Sequence, residues 1–316
     1  MSRRKRIDVH QHLLPPAYAS WLRERGVDEA GGRALPEWSA EGALALMDAH
    51  EIASAVLSIS TPGVRLDPSE RGAREARDWA RGVNEFAAET ARAHPGRFGF
   101  FATLTLPDVE GALAEAAYAL DVLGASGVVL LANTHGRYLG EPADEPLLAE
   151  LDRRGAVVFV HPSTLPAPPV PGMPPFAADF LLDTTRAAFR LVQSGAMRRY
   201  RRLRVVLSHA GGFVPYASHR LVVTLLGTAG GNPAEWLEDF RSFYFDTALS
   251  GSPAALPSLL AFAKPGHVLY GSDWPFAPTP AVSYFTAQLD AYAALDAAGH
   301  HALDRENALA LFGKEL

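Results

Sequence analysis

The chain has 316 residues, of which 48% are hydrophobic, with a formal net charge of -6 and no cysteine. No apolar run approaches the roughly 20 residues of a membrane-spanning helix, and the negative charge argues against a nucleic-acid partner. The lack of cysteine excludes disulfides and thiolate metal sites and is compatible with the cytoplasm.

The basic amino terminus does not have the pattern of a secretion signal. Residues Arg3 to Arg6 run directly into a strand-like segment, without the apolar region that a signal needs. We therefore expect a globular cytoplasmic protein with no membrane partner.

Short β-branched apolar runs alternate with amphipathic, helix-like stretches along the chain. The strand-like runs lie near 6–10, 55–60, 98–105, 127–131, 156–161, 205–209, 243–246 and 267–271. The helix-like stretches include 72–94, 108–123, 143–154, 179–200 and 253–263. This alternation predicts an α/β fold, a (β/α)8 TIM barrel that forms one domain over 1–316. The alternative, a doubly wound open sheet, favours a glycine-rich turn after the first strand, and none follows Val9.

Two connections are too long to be simple loops: residues 13–50, and residues 162–178, which contain seven prolines. Long loops within compact domains are usually functional, so we predict that both form walls of a substrate cavity. The first is expected to carry a small helical or hairpin insertion after strand 1. For the proline-rich segment, a rigid spacer without a ligand-binding role is the alternative.

The first strand-like run contains Asp8, His10 and His12, whose side chains share one face of an extended strand. Two neighbouring imidazoles on one face form a ready pair of metal ligands. A solvated or hydrogen-bonded histidine pair is the alternative for so short a motif.

Three later strand-like runs lead into residues of metal or proton chemistry: His161, His209 and Asp273. In a barrel, the carboxyl ends of the strands converge on one face, where active sites lie. Three imidazoles and a carboxylate suit one divalent metal, Zn²⁺ first and Mn²⁺ or Fe²⁺ next. Taken singly, His161 has the alternative of a core histidine and Asp273 that of a helix N-cap.

The stretches IDVHQHLLP, FVHP, LSHAGGFVPY and LYGSDWPF occur in this order along the chain. With them the sequence resembles the amidohydrolase superfamily, in its branch of aminocarboxymuconate semialdehyde, resorcylate, carboxyvanillate and 6-methylsalicylate decarboxylases. The resemblance implies four metal ligands: His10, His12, His161 and Asp273. It also implies that His209 is the general acid/base, and that Arg220 reaches into a dimer partner's site to hold the substrate carboxylate.

The chain departs from two patterns of the superfamily. Resorcylate-type decarboxylases tend to carry Glu-x-His in the first strand, whereas this chain keeps both His10 and His12, which moves it towards the muconate and methylsalicylate type. The segment Gly127 to Asn133 has no lysine that could be carboxylated to bridge two metals. The resemblance therefore implies a mononuclear site.

Further candidate residues concern the substrate. A planar aromatic or dienoic acid is favoured as substrate by the aromatic residues near the predicted rim: Phe176, Phe180, Phe213, Tyr216, Trp274 and Phe276. Of these, Phe213 and Trp274 are the candidate substrate-binding residues. Asp246 follows the run 243–245 and either orients a ligand or substrate or caps the next helix. For Arg220, a surface arginine without a substrate role is the alternative.

The expected activity is the metal-dependent, non-oxidative decarboxylation of a small aromatic or dienoic acid by a homodimer. His209 and Asp273 are both candidates for the residue that delivers a proton to the substrate. A hydrolase of a lactone or amide is the alternative on the same scaffold. A non-enzymatic metal-binding protein is disfavoured because it leaves His209 without a task.

Overall fold

The structure, a computed structural model, describes residues 4–313. Its strands are β1 (Arg6–His12), β2 (Glu29–Ala30), β3 (Arg33–Ala34), β4 (Ile52–Ser58), β5 (Phe98–Thr103), β6 (Gly127–Leu131), β7 (Asn133–Thr134), β8 (Arg137–Tyr138), β9 (Val157–His161), β10 (Arg204–Leu207), β11 (Tyr244–Asp246) and β12 (Val268–Leu269).

The α-helices lie between and beside these strands. They are α1 (Pro16–Glu24), α2 (Ala40–Ala49), α3 (Glu70–Ala93), α4 (Val109–Tyr118), α5 (Glu145–Arg154), α6 (Asp179–Gln193), α7 (Ala196–Arg199), α8 (Val214–Ala229), α9 (Pro233–Arg241), α10 (Leu256–Phe262), α11 (Thr279–Asp290), α12 (Ala297–His301) and α13 (Asn307–Phe312). None of the described helices has the length and hydrophobicity of a membrane crossing.

Eight strands form one parallel sheet in the order β1-β4-β5-β6-β9-β10-β11-β12. Backbone hydrogen bonds from Val9 N to Tyr270 O (3.0 Å) and from Asp273 N to His10 O (2.7 Å) join the end of the sheet back to β1. The sheet therefore curls into a nearly closed barrel with helices around it, and the predicted (β/α)8 fold is confirmed.

The barrel strands are buried on both faces, which explains their nearly continuous hydrophobicity. Inward-facing side chains such as Val9, Phe159 and Val206 form one apolar cluster with Leu311 of α13. Arg204, the first residue of β10, donates a hydrogen bond to the carbonyl of Leu311. The C-terminal helix therefore covers the amino ends of the strands, and the carboxyl ends are left for a site.

Both long connections follow barrel strands at their carboxyl ends, and they contact each other. Residues 13–50 hold α1, the antiparallel hairpin β2–β3 and α2, so the insertion has both a helical and a hairpin part. The segment 162–178 contains a short 3-10 turn, Pro175–Ala177. The amide of Phe176 donates to the carbonyl of Gly31 at the hairpin tip (3.1 Å), which ties the two segments together.

Candidate metal centre and active site

Four histidines and one aspartate converge at the carboxyl end of the barrel. His10 and His12 lie in the second half of β1, and His161 is the last residue of β9. His209 lies in the turn after β10, and Asp273 follows β12. All five are buried. The structure thus brings together every residue that the sequence indicated as a metal ligand or acid/base.

The potential ligand atoms of these residues lie close enough to share one metal ion. Four of the residues each offer one ligand atom within 4.8 Å of the other three: His10, His161, His209 and Asp273. The Nε2 atom of His12 lies 3.1 Å from Nε2 of His10 and 3.0 Å from Oδ1 of Asp273. This spacing and donor chemistry fit a divalent ion. Because all five residues are this close, distance alone does not separate the ligands from the acid/base.

Three of the imidazoles are oriented by hydrogen bonds at their outer nitrogen, Nδ1. The acceptors are Oδ2 of Asp246 for His10 (2.8 Å), the carbonyl of Ser58 for His12 (3.2 Å) and the carbonyl of Pro162 for His161 (2.8 Å). Because these acceptors require a proton on Nδ1, each of the three rings, when neutral, turns an unprotonated Nε2 atom inward. Lone pairs that face one another and a carboxylate repel unless a cation lies between them. The arrangement therefore fits a metal ion.

His209 differs from the other three histidines. Its Nδ1 atom is buried and has no hydrogen-bond partner among the described residues. Its Nε2 atom lies 3.4 Å from Oδ2 of Asp273. Among the described residues, Asp273 is thus the partner of Nε2, and Nδ1 is engaged by none. An imidazole with one uncommitted ring nitrogen is suited to take up and deliver a proton.

Burial and neighbouring charges shift the pKa values of the cluster in different directions. Burial lowers the pKa of His161 well below its usual value, and His12 and His10 lower it further. Burial also opposes the charge of His10, but Asp246 and Asp273 outweigh it and raise the pKa of His10 to about 10. Burial opposes the charge of Asp273 as well, yet the imidazoles, His10 first, hold the pKa of this carboxyl well below its usual range. The carboxylates thus favour positive charge at the centre, which a divalent ion supplies.

Three residues at the site adopt left-handed backbone conformations, which side chains other than glycine rarely take. The φ angle is 53° at His209, 51° at Leu249 and 62° at Asp273. Each such residue costs about 1–3 kcal/mol and persists only where the surrounding structure enforces it. The barrel rim therefore holds these three side chains in place at an energetic cost.

A cavity of about 150 Å³ adjoins the cluster. His161, His209 and Asp273 line it on the side of the cluster. Its other walls are mainly apolar and are formed by Ala30, Phe176, Ala177, Phe180, Leu181, Leu249 and Phe276. Ser60 and Ser250 add hydroxyl groups, and Arg33 is the only arginine or lysine of the described residues in the lining. Such a cavity suits a small planar molecule with an anionic group.

Arg33, on strand β3 of the insertion, is available to an anion. Its guanidinium lies over the ring of Phe176, 4.1 Å from the ring centroid. Within residues 4–313, no hydrogen bond or ion pair engages its nitrogen atoms. Stacking on an aromatic face fixes the plane of a guanidinium and leaves its edge free for a carboxylate. Sequence reasoning missed Arg33, although Gly31-Gly32 is a signal for a hairpin tip just before it.

Two aromatic residues predicted to bind substrate lie outside the cavity lining. Phe213 is 37% exposed just before α8. The ring of Trp274 packs against Gly42 of α2, and its carbonyl accepts a hydrogen bond from the amide of His12 (2.7 Å). Three other aromatic residues of the predicted rim, Phe176, Phe180 and Phe276, do line the cavity.

Asp246 and Arg220 also lie away from the cavity, in very different environments. Asp246 is fully buried, with Oδ2 at Nδ1 of His10, and its Oδ1 accepts the amide of His209 (2.9 Å). It therefore connects a candidate ligand with the candidate acid/base. Arg220 is exposed on α8 and is not among the residues that line the cavity of its own chain.

Comparison with known proteins finds one matching family profile and relatives that are similar over most of this chain. The sequence profile of a family described as amidohydrolase matches residues 7–314. The 6-methylsalicylic acid decarboxylase acuB of Aspergillus aculeatus is 39% identical over 330 residues, which cover 97% of this chain and 96% of that protein. The decarboxylase yanB of Aspergillus niger is 38% identical over 325 residues, covering 97% of this chain and 87% of that protein.

A crystal structure described as amidohydrolase II has the same architecture. It superposes with a TM-score of 0.90 at 27% identity, covering 98% of this chain and 100% of that chain. The resemblance inferred from the strand-end motifs is thereby confirmed. The chain belongs to the amidohydrolase family.

Proposed function

We propose that this protein is a metal-dependent, non-oxidative decarboxylase of a small aromatic carboxylic acid, of the class of 6-methylsalicylate. One observation carries the proposal: the histidine-aspartate cluster opens onto an aromatic cavity whose only fixed cation among the described residues is Arg33. The names of the relatives, one a 6-methylsalicylic acid decarboxylase and one a decarboxylase, support the same reaction.

The proposed metal ligands are His10, His12, His161 and Asp273. Their support is the inward orientation of the three imidazoles and the position of both Asp273 oxygens, Oδ1 beside His10 (3.2 Å) and His12 (3.0 Å), and Oδ2 beside His209. A bound divalent ion would neutralise the carboxylate or hydroxyl of the substrate and fix its orientation. We propose Zn²⁺, with Mn²⁺ as the alternative, because nitrogen ligands with one carboxylate suit a borderline-soft ion.

His209 is the proposed proton donor. It lines the cavity, and its Nδ1 atom is not committed to an acceptor among the described residues, whereas both oxygens of Asp273 face histidines. His209 protonates the ring carbon that bears the carboxylate. The bond between that carbon and the carboxyl carbon then breaks, carbon dioxide leaves, and the bonding electrons return to the ring.

Arg33 is the proposed anchor for the substrate carboxylate within the chain. The guanidinium pairs with a carboxylate through parallel hydrogen bonds, and Phe176 holds its plane. The aromatic side chains of Phe180 and Phe276 provide apolar surface for the substrate ring.

We also propose a homodimer in which Arg220 completes the partner's site. Tyr216, Arg220 and Val223 follow one another on α8 at helical spacing and are all exposed, Tyr216 to 85% and Val223 to 66%. Exposed apolar side chains grouped around an arginine favour a protein interface over a solvated face.

The decisive experiment measures carbon dioxide release from 6-methylsalicylate and metal content together. The expected result is turnover that chelation abolishes and that Zn²⁺ or Mn²⁺ restores. His161→Ala should lose most of the bound metal, since a ligand is removed. His209→Asn should keep the metal and lose activity at least about a hundredfold.

Other outcomes would reject individual parts of the proposal. Full metal occupancy in His161→Ala would reject the ligand set, and near-normal turnover in His209→Asn would reject its role. Metal-dependent cleavage of lactones without carbon dioxide release from any aromatic acid would favour the hydrolase instead.

A further inference from the structure

The turn of the β2–β3 hairpin packs against residues that line the cavity. This turn is formed by Gly31 and Gly32, with φ of 61° and 82°. Its neighbours are the proline-rich segment and the first turn of α6, where Phe180 lies. The backbone hydrogen bond between Phe176 and Gly31 holds the turn against this wall. The hairpin tip therefore cannot move independently of the residues that line the cavity.

Gly31 leaves no space between the hairpin and Phe180. A Cβ atom at position 31 would lie 2.2 Å from Cζ of Phe180 and 2.8 Å from Cε2. Real carbon atoms do not approach this closely, so a side chain at this position forces the ring or the turn to move. Phe180 lines the cavity, and its ring centroid lies 6.2 Å from that of His161. The ring thus neighbours both Gly31 and the candidate metal ligand.

We propose that Gly31 is a specificity-determining residue. Because position 31 has no side chain, the ring of Phe180 can lie close to the hairpin and leave space in the cavity for an aromatic acid with an additional ring substituent. This inference rests on the proposed function for the identity of the substrate class. The cavity is small, so the displacement of one aromatic ring by one methyl group removes space for a group of similar size. Gly31 acts through Phe180 and does not contact the substrate.

The chain offers a matched control for Gly31→Ala. Gly26 lies in the same insertion and has φ of 73°, and a Cβ atom at this position would have no neighbouring atom within 4 Å. Gly26→Ala therefore introduces comparable backbone strain without the collision. Any difference between the two variants reports the contact with Phe180.

The test compares salicylate with 6-methylsalicylate, which differ by one methyl group. We expect Gly31→Ala to lower kcat/KM for 6-methylsalicylate at least about tenfold more than for salicylate, mainly through KM, since one methyl group discriminates on this scale. Gly26→Ala should leave the ratio of the two values unchanged. Gly31→Ala combined with Phe180→Leu should restore the ratio, because the shorter side chain removes the collision.

Phe180→Leu alone gives an independent readout if Gly31→Ala does not fold. It should widen the cavity and shift the preference towards acids with larger substituents. Titration of the metal-loaded variants with both acids, followed by calorimetry, measures the same selectivity without turnover. Absence of decarboxylation in the wild type would therefore reject the proposed function and leave the role of Gly31 measurable. An equal loss for both acids, or no recovery in the double variant, would overturn the inference.

Discussion

At the scale of single residues, the orientation of the imidazoles matters as much as their number. His10 can present an unprotonated Nε2 atom to a metal only while Asp246 accepts the proton on its Nδ1 atom. In addition, Asp246 accepts the amides of His209 and Ala248 (2.9 and 3.0 Å), so it also holds the backbone of the turn after β10.

This dependence predicts the effect of Asp246→Asn. The new amide would place an N–H group where the carboxylate accepts from His10, which favours the opposite tautomer and turns a protonated Nε2 atom inward. We expect metal affinity, measured by competition with a chromophoric chelator, to fall about 10- to 100-fold. Asp144→Asn is the control, because Asp144 is also buried but pairs with Arg137 away from the cluster. Unchanged affinity in Asp246→Asn would show that this hydrogen bond does not orient the ligand.

Sequence alone could indicate the residues at the strand ends, because the barrel brings those ends together whatever the details of packing. His10, His161 and Asp273 are predictable in this way. Arg33 is not, since it lies in an insertion whose position depends on tertiary contacts with the proline-rich segment. The contact between Asp246 and His10 joins residues 236 positions apart, so no local sequence pattern indicates it.

At the scale of elements, strands were easier to predict than helix ends. The apolar run 127–131 coincides with β6 because a strand buried on both faces is hydrophobic along its whole length. The helix-like stretch 179–200 divides into α6 and α7, because Gly195 adopts φ of 75° and ends the helical path. The spacing of apolar residues predicts one helix-like stretch here and does not indicate the break.

The loop after β9 is fastened by a buried carboxylate on α6. Asp183 accepts hydrogen bonds from the amide of Ser163 (2.8 Å), from Nδ2 of Asn133 (2.8 Å) and from the hydroxyl of Tyr138 (2.7 Å). It thereby joins α6 to the β7–β8 hairpin and to the segment that follows His161. The proline-rich wall of the cavity is anchored at this point.

Asp183→Ala should therefore destabilise the protein. Two buried donors and one half-buried donor, the hydroxyl of Tyr138, lose this acceptor, and we expect the free energy of unfolding to fall by about 3 kcal/mol. Urea denaturation measures this as a lower midpoint at an unchanged slope. Asp179→Ala is the control, because Asp179 lies on the same helix without a hydrogen bond to these elements and should cost less than about 1 kcal/mol. Equal midpoints for the two variants would show that the network contributes no net stability.

At the scale of the whole molecule, half of the eight large hydrophobic side chains that are exposed within residues 4–313 belong to one helix and the residue before it. Four large hydrophobic side chains are exposed on α8 or just before it: Phe213, Tyr216, Val223 and Leu226. Arg220 lies among them; it is exposed and is not among the residues that line the cavity of its own chain. A two-fold interface through α8 would bury the apolar side chains and carry each Arg220 towards the other subunit.

The shared-site dimer predicts that two inactive variants complement each other. In a heterodimer of His209→Asn and Arg220→Ala chains, the site with an intact His209 receives an intact Arg220 from its neighbour, while the other site lacks both. Random exchange makes half of the dimers mixed, and each mixed dimer has one complete site out of two. About a quarter of the wild-type activity should therefore return. Decarboxylation is measured after subunit exchange, which is followed by native mass spectrometry. Gly82→Ala mixed with His209→Asn is the control for folding and exchange, because position 82 lies on α3, outside the proposed interface, has open space around it, and the variant should be active alone. Full subunit exchange without recovered activity, or a monomer at working concentration, would reject the shared site. Arg220 would then be a surface residue without a substrate role.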